Sequence, residues 1–137
     1  MSLNIHASCV NIKNKGVLFL GVSGSGKSDL SLRLIANHKA KLVADDRVDI
    51  KSKGNKIIAS SPENLFGLIE VRGIGIIKQK AKKNSFIDLV VNLTQEKIER
   101  MPDILYYEIL DQKIPLININ PFEQSASAKI LAALSLL

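Results

Sequence analysis

The sequence predicts an α/β fold, a mixed β-sheet with flanking helices, built as one domain over residues 1–137. Three observations predict it. Short apolar runs bounded by turn residues recur, as in "VLFL" (17–20) and "KLVA" (41–44), and read as buried strands. Apolar residues at helical spacing fall between them, as Leu30, Leu34 and Ile35 do. Turn signals at Asn14-Lys15-Gly16 and Lys53-Gly54-Asn55 join neighbouring strands tightly, which requires antiparallel pairs beside any parallel ones.

Taken in order, Ile5 to Ile12 reads as one strand and Val17 to Leu20 as the next, joined by the first of those turns. A glycine-rich stretch follows, then a helix from Ser28 to Asn37, then the strand Lys41 to Ala44. Strand, loop, helix and strand make one βαβ-like unit. Val48 to Lys51 and Ile57 to Ala59 form a hairpin. Ser60-Ser61-Pro62-Glu63 resembles a helix start with glutamate three residues after serine, and Gly67 limits that helix to about one turn. Leu68 to Arg72 and Phe86 to Leu93 read as strands, with a short helix from Gln95 to Arg100. Tyr106 to Leu110 and Pro115 to Ile119 suggest two more strands around Asp111-Gln112-Lys113. Ser125 or Ser127 caps a last helix running to Leu137. That helix is apolar almost all round, so it packs against its own sheet or a neighbouring subunit.

Composition narrows the class. Hydrophobic residues make up 46% of the 137 and charged residues 23%, the balance of a globular domain. No apolar run is long enough to cross a membrane. The first residues lack the charged and apolar regions of a signal peptide. The one cysteine, Cys9, can form no internal disulfide. The last two facts favour the cytoplasm. The formal net charge is +6 with only 4% aromatic residues. Without an RNA-binding or zinc-finger pattern, that basic balance does not point to nucleic acid. The run Lys78, Lys80, Lys82, Lys83 reads as a solvated loop.

"GVSGSGKSDL" carries the chemistry. Gly21, four residues, then Gly26, Lys27 and Ser28 fit the Walker A form of the P-loop. Glycines let the chain turn tightly and aim successive N–H groups at phosphate oxygens. The helix that follows adds the positive end of its dipole. The cradle therefore comprises Gly21, Val22, Ser23, Gly24, Ser25, Gly26, Lys27 and Ser28. Lys27 supplies a point charge, and Ser28 offers a hydroxyl to Mg²⁺. ATP or another polyphosphate is the ligand such a loop takes.

Asp45 and Asp46 end a buried strand, where phosphate-loop enzymes place a carboxylate for Mg²⁺. Two acids allow one to hold metal while the other takes a proton from an attacking hydroxyl. In "LIEVRGIGII", period-two alternation puts Glu70 and Arg72 on one face. They read either as a structural salt bridge or as a metal-associated acid beside a phosphate-binding arginine.

"GVSGSGKSDL", "LVADDRVDI" and "EVRGIGII", in that order, resemble the catalytic domain of HPr kinase/phosphorylase, over about residues 5–100. The resemblance implies a PEP carboxykinase/HPr kinase-like fold in a short form that comprises only the P-loop domain. It implies Mg²⁺-dependent phosphorylation, by ATP, of a serine on a small HPr-like phosphocarrier protein. It implies active-site roles for His6 and Lys27, and the base role for one of the aspartates, with Asp45 favoured. Ser28, Asp46 and Glu70 would hold metal, and Arg72 or Arg100, the latter in "ERMP", would steady the transferring group. Homo-oligomers, hexamers in the family, are implied too. The chain departs from the family near its C-terminus, where "IPLININPFEQSASAKI" stands in place of a basic "RPGRN"-like loop tied to dephosphorylation. The resemblance therefore supports the kinase direction and leaves the phosphorylase direction open. Two other readings stay open: a small-molecule kinase, though the four arginines are not clustered as in an arginine-rich lid, and a nucleotide-dependent binding module without catalysis.

Overall fold

The computed structural model describes residues 2–137. The strands are β1 (Ser2–His6), β2 (Ser8–Ile12), β3 (Lys15–Leu20), β4 (Lys41–Ala44), β5 (Arg47–Lys53), β6 (Lys56–Ser60), β7 (Leu68–Val71), β8 (Gly75–Lys78), β9 (Asn84–Phe86), β10 (Leu89–Leu93), β11 (Leu105–Ile109) and β12 (Gln112–Ile119). Two helices, α1 (Lys27–His38) and α2 (Ala126–Leu134), complete the architecture with a single 3-10 turn at Glu63–Leu65.

The expected single mixed sheet is three sheets. Six strands in the order β11-β12-β10-β3-β2-β4 make the main one, β1-β5-β6-β9 a second, and β7-β8 a small ribbon. The main sheet is mixed as expected: β10 runs parallel to both β3 and β12, and β2 is antiparallel to β3 and to β4. The βαβ-like unit β3-α1-β4 therefore has β2 inserted between its two strands.

Period-two alternation explains the layering. Val17, Phe19, Leu89 and Val91 face α1 and α2, meeting Leu30, Leu34, Ala126, Ile130 and Leu134. Cys9, Leu18, Val43 and Val90 face the other way, toward Val48, Ile50, Ile57 and Ala59 of the second sheet. Because the central strands are buried on both faces, they read as continuous apolar runs. The last helix buries Ala126, Ile130 and Leu134, an i, i+4, i+8 stripe, on its own chain's core. No helix among the described residues is long and apolar enough to cross a membrane.

Three expectations fail for identifiable reasons. The predicted strand 5–12 is two strands in different sheets, parted at Ala7, and 86–93 is likewise parted at Ile87 and Asp88. At that second break Ile87 N donates to Ile57 O, while Asp88 N donates to Gly16 O and Asp88 Oδ2 accepts from Gly16 N. A Cβ on Gly16 would collide with the Phe86 carbonyl, so only glycine lets β3 start this close to the link. The predicted helix 95–100 does not form. The Thr94 hydroxyl accepts from Glu96 N at 3.1 Å, a local bond that competes with helical pairing, and Pro102 follows closely. β8 was not anticipated at all; its exposed Ile76 gives it no clear alternation.

Candidate active site

The chain changes sheets twice at one corner. β1 pairs with β5 in the second sheet, while β2 pairs with β4 in the main one. The links are Ala7 on one pass and Asp45-Asp46 on the other, and Ala7 N donates to Asp46 O at 3.2 Å. Arg47 N donates to Asp45 O at 2.8 Å, closing a three-residue turn with Asp46 at φ 69°. Aspartate tolerates that left-handed conformation better than most residues, at a cost of about 1 kcal/mol or more. This double crossing brings His6 and Ser8 beside the aspartate pair.

The two acids sit in opposite environments. Asp45 is 4% exposed. Its Oδ1 accepts from Ser8 Oγ at 2.8 Å and Ser28 Oγ at 2.7 Å, and its Oδ2 from Glu70 N at 3.1 Å. Asp46 has a side chain 67% exposed, with Oδ1 3.4 Å from His6 Nδ1. That separation makes an ion pair when the imidazole is protonated. The expected division makes Asp45 the base and Asp46 a metal ligand; in the structure Asp45 is the enclosed carboxylate and Asp46 the one open to the cleft. A carboxylate already holding three donors is poorly placed to take a further proton.

Across the cleft, Gly26 stands at the N-cap of α1 with φ 103°, and Gly24 has φ 80°. These conformations shape the loop and suit glycine. Ser25 N donates to Val22 O at 3.0 Å, tightening it, and Ser25 Oγ is buried without a hydrogen-bond partner. Lys27 is 6% exposed, and its Nζ donates to Gly21 O at 2.7 Å and Val22 O at 3.0 Å. Burial pulls the Lys27 ammonium below the usual lysine range, while the charges of Asp45 and Asp46 pull it back up. The lysine is therefore folded onto its own loop, and an entering polyphosphate would exchange those carbonyls for anionic oxygens.

A cleft of about 430 Å³ joins these groups, lined on one side by Ser23, Gly24, Gly26, Lys27 and Ser28 and on the other by His6, Asp46, Glu70 and Arg72. Glu70 and Arg72 share an exposed face while Ile69 is buried. Among the described residues no ion pair links them, so both remain available to the cleft. Arg100 is not brought there. The extended segment after β10 runs along a separate 320 Å³ groove beside Thr94, Glu99 and Asp103. Arg100 was expected on a helix that does not form. Sequence reasoning missed Ser8, whose only signal is a hydroxyl opening a short strand that is apolar but for Asn11. It also missed Leu32 and Phe122, which line the cleft.

The donors that could hold a cation are Ser28 Oγ and the carboxylates of Asp45, Asp46 and Glu70. All are oxygen, the set a hard cation such as Mg²⁺ takes. Among the described residues no three His, Cys, Asp or Glu side chains converge into a self-sufficient metal cage.

Comparisons with known proteins give the family. The sequence profile of the family described as "HPr Serine kinase C-terminal domain" matches residues 1–135. The HPr kinase/phosphorylase of Malacoplasma penetrans is 36% identical over 137 residues, covering 89% of this chain and 45% of that protein. The Thermoanaerobacter sp. protein of the same name is 40% identical over 130 residues, covering 85% and 42%. The chain thus spans less than half the length of these curated relatives. The solved structure of the Hpr(Ser) kinase/phosphatase from Coxiella burnetii matches with a TM-score of 0.81 at 32% identity, over 97% of this chain and 94% of that one.

Proposed function

Since the chain belongs to the HPr serine kinase C-terminal domain family, we propose that it is a protein-serine kinase, transferring the γ-phosphoryl group of ATP to a serine of a small HPr-like phosphocarrier protein. The observation that carries the reading is the split between the two aspartates: one buried and bonded to the phosphate-loop serine, the other open to the cleft beside a histidine.

The loop's N–H groups and Lys27 hold the β- and γ-phosphates. Ser28, Asp45 and Glu70 are the residues that would hold Mg²⁺, with Asp46 adjacent. When bound, that ion neutralises charge on the phosphates. Asp46 accepts the proton of the substrate serine hydroxyl as its oxygen bonds to the γ-phosphorus and the bond to ADP breaks. His6 at 3.4 Å orients the Asp46 carboxylate. Arg72, on the same lip as Glu70, stabilises charge on the transferring group. Arg100 does not line the cleft and is given no role in this scheme. The substrate belongs to the phosphotransferase system, so the reading also places the protein in the cytoplasm. Assembly of several copies is part of it and is checked by solution mass.

Incubation of the chain with Mg²⁺ and ATP, beside an HPr-like carrier and a panel of small hydroxyl metabolites, tests the proposal by phosphopeptide mass. Phosphoserine on the carrier is the expected product. Phosphate appearing only on a metabolite, or ATP binding with no transfer at all, overturns it.

A further inference from the structure

The cleft has one apolar lip, and the chemistry so far leaves it without a task. Beside the loop it is lined by Leu32 and Phe122. Phe122 is 65% exposed, yet the turn that carries it is tightly fixed. Phe122 N donates to Asn120 Oδ1 at 3.0 Å, and Glu123 N to Asn120 O at 3.2 Å. The Arg33 guanidinium donates to Pro121 O, and Arg33 Nε lies 3.2 Å from Asp29 Oδ2. A Cβ on Gly26 would stand 3.1 Å from the Pro121 ring, so the proline lies against the N-cap residue of the phosphate-gripping helix. Topology explains the placement. β3, β10 and β12 are parallel, so the loops that follow them gather at one edge of the sheet.

An ordered ring left open to water forgoes the burial that an aromatic side chain normally gains. Its position sets what can cover it. It is one residue from a proline touching the N-cap of α1, at the end of the cradle that takes a polyphosphate. The opposite lip is charged, with His6, Asp46, Glu70 and Arg72, and suits the acceptor. A ligand with phosphates at one end and a flat apolar ring at the other matches the Phe122 side.

We propose that Phe122, with Leu32, seats the base of a nucleoside triphosphate by stacking, while residues 21–28 hold its phosphates. The proposal rests on the reading of the loop as a nucleotide site. Titration calorimetry of the full chain with Mg²⁺ separates the two, using ATP and pyrophosphate as ligands and wild type, Phe122→Ala and Phe122→Trp as proteins. Stacking predicts about a tenfold loss of ATP affinity in Phe122→Ala. It also predicts unchanged pyrophosphate affinity and recovery in Phe122→Trp. Thermal melting of each variant, expected to match wild type because the ring is exposed, guards against misfolding. If wild type binds both ligands and Phe122→Ala binds ATP equally well, or loses both ligands equally, the base seat is wrong and the phosphate loop stands. If wild type binds neither, both readings fall. A Phe122→Ala defect confined to the KM for a protein acceptor also overturns the seat.

Discussion

The wall of the cleft formed by residues 21–28 and α1 rests on the six-stranded sheet, and Leu30 and Leu34 of α1 are fully buried in the core below. The opposite wall, β7–β8, is a two-stranded ribbon with Ile74 and Ile76 more than 70% exposed. A lone hairpin is marginally stable in water, so this ribbon depends on its attachments. Glu70 N donates to Asp45 Oδ2, Ile69 of β7 is fully buried, and just past β8 Lys82 N donates to Leu42 O of the main sheet. The difference teaches a division of labour. The loop wall is built into the main sheet's core, whereas the ribbon wall is a lighter element held in part by the same buried carboxylate that binds the phosphate-loop serine. Asp45 couples the walls, and Asp46, next in sequence, faces what lies between them.

The largest effect should follow removal of that pin. Asp45→Asn replaces a carboxylate oxygen with an amide that cannot accept from all three donors. Transfer should become undetectable, and stability should fall by about 1–3 kcal/mol because buried donors lose their acceptor. Urea denaturation and the phosphotransfer assay read the two effects. Asp46→Asn should lower transfer by roughly 10²–10⁴-fold with stability unchanged within about 0.5 kcal/mol and ATP affinity retained. Should the exposed acid prove the more destabilising to replace, the contrast between pin and working acid is wrong.

A smaller effect separates the walls directly. Amide hydrogens of β7 and β8 should exchange roughly tenfold or more faster than those of residues 30–35 in α1, since local opening of the ribbon costs less than unfolding the core. Asp45→Asn should widen that gap, and equal protection of both elements would remove the distinction. The smallest effect at neutral pH comes from β2, which lies between the P-loop strand and the aspartate strand. Burial, reinforced by the charge of Asp88, pushes the Cys9 thiol up to about 12 from 9.0. The unfolded thiol ionises first, so its contribution to stability is complete below pH 9 and is lost as pH rises toward 12. The loss approaches 1.4 kcal/mol per pH unit at most. Denaturation midpoints at about pH 8 and pH 10 should fall further in wild type than in Cys9→Ala.

Features set by neighbouring residues were the legible ones. The phosphate loop needs its glycines, lysine and serine within eight positions, and β4 ends where the aspartate pair begins. The hairpin around Gly54-Asn55 carries its own turn chemistry. What depends on distant partners was not legible. Nothing local marks Ala7 or Ile87-Asp88 as the points where the chain leaves one sheet for another. The register between β1, β5 and β4 decides those points, and with them the contact of Ser8 with Asp45. The contrast between the enclosed Asp45 and the open Asp46 is one of burial, which adjacent identical residues cannot reveal. Phe122 had no signal beyond a proline before it, because its place in the cleft is created by packing of that proline on Gly26.

The insertion of β2 between β3 and β4 carries a consequence for how this chain can vary in length. Neighbouring strands lie about 4.8 Å apart, so β2 keeps the phosphate-gripping strand and the acid-bearing strand two spacings apart along the whole sheet. One residue added or lost between Ala7 and Ser8 would turn the side chains of β2 over, aiming an apolar group at Asp45 in place of the Ser8 hydroxyl. Segments such as 94–104, at the rim, can lengthen or shorten without that penalty. Natural indels should therefore collect there and be missing from the five residues of β2.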